Sequence, residues 1–208
     1  PRRSGRPQAM SQRSAPSRGV HPGGIAWLAH ALTHRGVRAV DGVDHAPTET
    51  DLMMMDRALD LARAAGEAGE VPVGALVYRT SDGTVIAEAA NTREARKDFA
   101  GHAEFDAMAR ACASLGDWRL NEYTLVVTLE PCPMCAGAIM NARVGRVVFG
   151  ASDAKAGAVR SLYRLCDDPR LNHRSMIVPG VRSEECAQVL REFFRGLRAK
   201  RRGSAGQS

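Results

Sequence analysis

Five cysteines in 208 residues are too few, and too odd in number, for a disulfide scaffold. That points to a reducing compartment, with cytoplasmic location the expectation, and leaves metal or redox chemistry open. No apolar run approaches the ~18–20 residues that span a bilayer, so no membrane partner is expected. No internal repeat is present. Disorder throughout is excluded, because 44% of the residues are apolar, enough for a core. The length suits one domain, or one domain with an extension.

The net charge of +6 is unevenly placed. Residues 1–50 carry seven Arg against three acids, and residues 191–208 carry six basic residues against one acid. The stretch between them is mildly acidic. A positive balance suggests a polyanionic partner, and any such contact must lean on the ends and a few local groups.

Residues 1–48 read as a disordered, targeting or start-site extension, residues 49–200 as the functional domain, and 201–208 as a disordered tail. The opening PRRSGRPQAMSQRSAPSRGVHPGG is rich in Arg, Ser, Pro and Gly without hydrophobic period. With no acid before Asp41 it has the composition of an organellar transit peptide. An expression remnant or an over-extended start is the plainer alternative, with Met53, Met54 or Met55 as possible starts. Such an extension is expected to be dispensable for activity.

From Thr48 the pattern turns globular. Thr48 and Asp51 fit a capping box, followed by apolar residues at helical spacing to about Gly66–Gly69. VPVGALVYR and TVIAEAAN read as a hairpin about the turn Ser81-Asp82-Gly83. A loop from Thr92 to Gly101 leads to a helix from about His102 to Leu115. Tyr123–Glu130 is a β-branched strand, and Pro131 is expected to open the next helix. RVVFGAS and SMIVPGV read as further strands, with helices expected over Ala156–Leu165 and Ser183–Lys200. Strand–helix–strand from Tyr123 to Ser152 implies parallel pairing with a right-handed crossover. The economical architecture is an α/β, three-layer α/β/α domain around a mixed five-stranded sheet.

Two strings carry chemistry: His102-Ala103-Glu104 and Pro131-Cys132-Pro133-Met134-Cys135. Composition alone would place ~0.3 H-x-E triplets in such a chain but only ~0.006 P-C-x-x-C strings, so the second is the sharper signal. Both fall at predicted helix N-termini. Cysteines at i and i+3 in a first helical turn bring two sulfurs to one side, and the free amides there favour thiolates. One His and two Cys make three ligands, leaving a zinc ion a fourth position for water, the catalytic rather than the structural pattern. Glu104 is placed to take a proton from that water and hand it on. A zinc ribbon would need a second CxxC, which is absent. A thioredoxin-like pair would leave His102 and Glu104 without a role. Cys112, Cys166 and Cys186 read as ordinary core or surface residues.

H-x-E…P-C-x-x-C is the signature of zinc nucleobase deaminases. GHAEFDAMARAC, TLEPCPMCAGAIMNARVGRVVFGASDAKAG, SLYRLCDDPRLNHR and REFFRGLR resemble the bacterial tRNA adenosine deaminases, from about Leu52 to Lys200. The resemblance implies a cytidine-deaminase-like fold and conversion of the wobble adenosine of an arginine tRNA anticodon to inosine. It implies His102, Cys132 and Cys135 as ligands of one zinc ion per subunit, and Glu104 as proton shuttle. It further implies Asn91 as hydrogen-bonding the flipped base and Val71 as packing on it, with Ala103 also among the substrate contacts. Asp153 and Lys155 would contact the RNA backbone and flanking nucleotides, and Phe194 and Arg198 would hold the anticodon loop. A homodimer is implied, with no nucleotide cofactor.

Two departures stand beside the metal motif. Phe99-Ala100-Gly101 replaces the family's usual Pro-Thr-Ala, and Asp106 stands where an apolar or variable residue is usual. Both leave the loop conformation and sequence context open. Guanine deaminases share HAE and PCPMC, so a free-base deaminase is the rival enzyme, disfavoured by the GASDAKAGA…NHR stretch and the basic C-terminal helix. Cytidine deaminases usually carry Cys in place of His102. A zinc-stabilised RNA-binding module is the non-enzyme alternative, and Glu104 argues against it.

Overall fold

The computed structural model describes residues 43–205. Helix α1 (Glu49–Glu67) is followed by the strands β1 (Gly74–Arg79) and β2 (Val85–Ala90), and by a four-residue helix α2 (Arg93–Arg96). Helix α3 (Ala103–Leu115), strand β3 (Tyr123–Leu129), helix α4 (Pro133–Asn141) and strand β4 (Arg146–Ala151) come next. A 3₁₀ turn at Leu165–Asp167, strand β5 (Met176–Val178) and helix α5 (Ser183–Ala205) complete the order.

The five strands lie in the order β2-β1-β3-β4-β5. β1 is antiparallel to β2 and β3, whereas β3, β4 and β5 run parallel, so the sheet is mixed. Alternation along each strand divides the interior in two. Ala75, Val77, Leu125, Val127, Val147, Phe149 and Ile177 face α3 and α4. Leu76, Tyr78, Val126, Val148 and Val178 face α1, with Val181 just before α5 and Cys186 in its first turn on the same side. This is the expected three-layer arrangement.

The capping box of α1 is present: Asp51 N–H donates to Thr48 Oγ1 at 3.2 Å, and Thr48 N–H donates to Asp51 Oδ2 at 2.6 Å. Asp51 is 0% exposed and serves more than the cap. Its carboxylate accepts from the Tyr78 hydroxyl at 2.7 Å and from both Nη atoms of Arg146, Nη2 at 2.6 Å. Gly74 lets α1 and β1 approach, since a Cβ there would lie 2.1 Å from the Ala58 carbonyl oxygen. Residues 43–48, read from sequence as the end of the extension, make defined contacts. Asp44 forms a parallel bridge with Ile177, His45 N–H donates to the Ile177 carbonyl, and Arg160 Nε donates to Asp44 Oδ1 at 2.7 Å. The rest of the extension lies outside the described residues.

Some expectations need correction. Pro133, not Pro131, occupies the first turn of α4, with Cys132 as N-cap. No helix forms over Ala156–Leu165. The amides of Val159, Arg160 and Ser161 donate to the Glu130 carboxylate instead of to carbonyls one turn back. α5 runs five residues past the expected end at Lys200.

Burial pushes the Asp51 carboxyl up, but the hydrogen bonds from Arg146, Thr48 and Tyr78 outweigh it and bring it down to about 2 from the ordinary 3.8. A depressed carboxylate contributes stability above its unfolded value and loses it as pH falls through the folded one. Asp51→Asn is therefore expected to destabilise the fold by about 3 kcal/mol at neutral pH, because Arg146 is left buried without its charge partner. In urea denaturation, the gap between wild type and variant should close as pH drops from about 4 towards 2.

Candidate active site

The parallel strands end where ligands gather in open α/β sheets, outside their carboxyl ends. β3 runs out at Leu129 and the chain turns through Glu130 and Pro131 into α4. Cys132 is the N-cap of α4 and Cys135 lies in its first turn; His102 is the N-cap of α3. The His102 side chain makes no bond to its own helix and turns instead towards Cys132 and Cys135. His102 Nδ1 lies 3.7 Å from Cys132 Sγ and 3.6 Å from Cys135 Sγ. The three ligand atoms fall within 4.8 Å of one another, close enough to hold one metal ion.

Two helix N-termini converge on that point and favour negative charge there. The hydrogen bond from Cys135, helped by His102, holds the Cys132 thiol down at about 4. The same bond and burial push the Cys135 thiol up. The hydrogen bond to Cys132 raises His102. Glu104, two residues on, is 5% exposed, and burial pushes its carboxyl above the usual range. A buried carboxyl beside that donor set is placed to move protons at it. Ala103 is fully buried between ligand and acid.

Asn91 and Val71 are brought to this side together. Asn91 N–H donates to the Val73 carbonyl, and Val73 N–H donates to that of Val71. Asn91 Nδ2 donates to Glu70 Oε2 at 3.2 Å. A carboxylate only accepts, so Glu70 fixes which end of the amide faces it and leaves Asn91 Oδ1 for another partner. Glu70 also accepts from the amides of Glu94 and Ala95, at 3.0 and 2.6 Å, and so fastens α2 itself. Asp106 has its explanation here: it accepts from Arg96 Nη1 at 2.8 Å and from Thr92 Oγ1 at 3.3 Å, tying the loop that carries Phe99-Ala100-Gly101 to α3.

Asp153 and Lys155 sit just past β4, Asp153 half-buried and Lys155 exposed. Phe194, 41% exposed, and Arg198 share the solvent side of α5, one turn apart. No described contact joins either to the His–Cys–Cys group. Cys166 and Cys186 are buried, Cys112 is half-buried, and all three are free thiols. Sequence reasoning missed Glu70 and Glu130. Their one signal is an acid set directly against an apolar stretch, Val71-Pro72-Val73 in one case and Tyr123–Leu129 in the other.

Residues 49–198 match the MafB19-like deaminase family. The tRNA-specific adenosine deaminase of Bacillus subtilis is 46% identical over 154 residues, spanning 74% of this chain and 94% of that protein. The tRNA-specific adenosine deaminase of Haemophilus influenzae is 42% identical over 155 residues, 74% of this chain and 89% of the relative. This chain belongs to the tRNA-specific adenosine deaminase family. A solved tRNA:A34 deaminase, described as editing A to I at the wobble position of transfer RNA, agrees in fold. It superposes with a TM-score of 0.63 at 43% identity, covering 66% of this chain and 99% of the other. In the deaminase described here, no helix among the described residues is long and apolar enough to cross a membrane.

With three donors meeting at one point, removing any one should empty the site. Cys132→Ala is expected to lose nearly all bound metal, measured by elemental analysis of the purified protein. A full metal complement in that variant would place the metal elsewhere.

Proposed function

We propose that this deaminase converts the wobble adenosine of a tRNA anticodon, that of an arginine tRNA, to inosine. His102, Cys132 and Cys135 would hold one zinc ion, and Glu104 would move the protons. The observation that carries the reading is the Glu104 carboxyl, buried beside three metal-binding donors and not needed as a fourth. A structural metal site has no use for such a group. One nitrogen and two sulfurs in a close triangle suit zinc with a position left open. The likeness to the Bacillus subtilis tRNA-specific adenosine deaminase supports the substrate class.

Zinc, when bound, supplies the Lewis acidity that lowers the pKa of the attacking water. Glu104 takes one proton from that water and passes it to the ring nitrogen beside the amine-bearing carbon, then takes the second and gives it to the leaving amine. Water's oxygen bonds to the ring carbon, the carbon–nitrogen bond breaks, and ammonia and inosine result. Asn91 hydrogen-bonds the extruded base, with Val71 and Ala103 packing around it. Asp153 and Lys155 contact the RNA backbone and flanking nucleotides, and Phe194 and Arg198 hold the anticodon loop. Extrusion is cheap because a loop base is already unpaired. The protein acts as a homodimer. Exposed Phe105 and Trp118 support this, edging an apolar hollow of about 430 Å³ between α3 and α4.

An anticodon stem-loop bearing a wobble adenosine is expected to yield inosine, while free guanine incubated in parallel stays unchanged. Guanine turnover without inosine would replace the reading with a free-base deaminase. Glu104→Gln should keep its zinc and lose about 10²–10⁴-fold in rate. Near wild-type activity in that variant would remove Glu104 from the mechanism. Light scattering at micromolar concentration should give a dimer mass, and Trp118→Glu should shift it to the monomer; a monomeric wild type would refute the assembly.

A further inference from the structure

Glu130 takes no part in the chemistry above, yet it is 2% exposed and its carboxylate accepts five hydrogen bonds. Oε1 accepts the amides of Val159, Arg160 and Ser161 at 3.1, 2.6 and 2.8 Å. Oε2 accepts the Asp153 amide at 3.0 Å and the Ser161 hydroxyl. All five donors lie between residues 153 and 161, a stretch with no helix or strand to satisfy its own amides. The wrap is close. A Cβ at Gly157 would lie 2.4 Å from the Glu130 carboxyl carbon and from Oε2, so only glycine fits there. A second tie runs alongside, from the Ala158 amide to the Pro131 carbonyl at 2.8 Å.

We infer that Glu130 is a positioning residue for the RNA substrate, its carboxylate holding segment 153–161 in the path that presents Asp153 and Lys155. This rests on the proposed function, in which those two residues touch RNA. The connection is short. Once the Asp153 amide is pinned, Asp153 Oδ1 accepts the amides of Lys155 and Ala156 at 2.9 and 3.2 Å, and its carbonyl accepts that of Gly157 at 2.8 Å. That local turn sets the direction in which Lys155 leaves the surface. In the other direction Glu130 stands two residues before Cys132. One buried side chain thus keeps a metal-binding turn and an RNA-contacting loop in register. Loosening it should weaken substrate binding and leave the reacting centre intact.

Glu130→Gln tests this, because it keeps the size and puts an N–H₂ donor where one acceptor oxygen stood. With the anticodon stem-loop, KM is expected to rise about tenfold while kcat stays within about threefold. Zinc content should match wild type. Hydrogen exchange should accelerate at the amides of Asp153, Val159, Arg160 and Ser161 and not at those of β3 and β4. Ser161→Ala, which removes one of the five bonds, should move KM and the same amides less far, and it carries the test if Glu130→Gln fails to fold. Three results would overturn the inference: loop amides as protected as in wild type, a fall in kcat at unchanged KM, or loss of zinc. Faster exchange across the whole sheet would also overturn it, showing a merely structural role. A wild-type protein that made no inosine would instead refute the functional reading, and the exchange data alone would then decide whether Glu130 holds the loop.

Discussion

The site depends on the meeting of two helix N-termini at the carboxyl end of β3. α3 begins at His102 and α4 at Cys132, and the two cap side chains turn towards one another. Facing each other at 3.7 Å, these caps and Cys135 form a donor set that neither helix holds alone. The partial positive charge of both helix ends falls on the same point, and the hydrogen bond from Cys135, with His102 beside it, holds the Cys132 thiol low. Small buried residues on the approaching turns, Ala103 and Ala136, keep bulk out of the junction. Glu104 follows on the α3 side, desolvated by the same packing that brings the helices together.

Around that point buried carboxylates take up backbone amides that helix and strand bonding leaves over. Glu70 gathers the amides of Glu94 and Ala95 with the Asn91 side chain; Glu130 gathers those of Asp153, Val159, Arg160 and Ser161. Asp106 ties Arg96 and Thr92. Asp51 does related work on the opposite face of the sheet, joining the α1 cap to Arg146 and Tyr78. Buried amides must find acceptors, and a carboxylate offers two oxygens that can each take several donors. Loops held in this way can be both non-repetitive and well defined, as substrate-contacting segments need to be.

Much of this was legible in the chain. The Thr48/Asp51 capping box, the hairpin about Gly83, the β-branched run into Glu130 and the P-C-x-x-C turn are local patterns, and each formed where its residues put it. The helix expected over Ala156–Leu165 did not form, because its amides had a stronger acceptor thirty residues away in Glu130. Pro131 and Pro133 compete for the same helix start, and Cys132 took the cap between them. The Asp106 departure looked isolated in sequence and proved to be one end of a clasp on Arg96.

The sequence by itself determined what is set within a few residues: the capping box that starts α1, the hairpin turn, the β-branched strands, and which donors could bind a metal. Those outcomes follow from backbone preference, hydrophobic period and the reach of a side chain along its own turn. Only the tertiary structure decided that His102 meets Cys132 and Cys135, that Glu104 loses its water, and that Glu70 and Glu130 serve as anchors. His102 lies thirty residues before Cys132 in the chain, and the Glu130 anchor reaches as far. Contacts at such separation are settled by how the sheet orders its strands and by which buried amides are left without a ladder, and no local pattern records either.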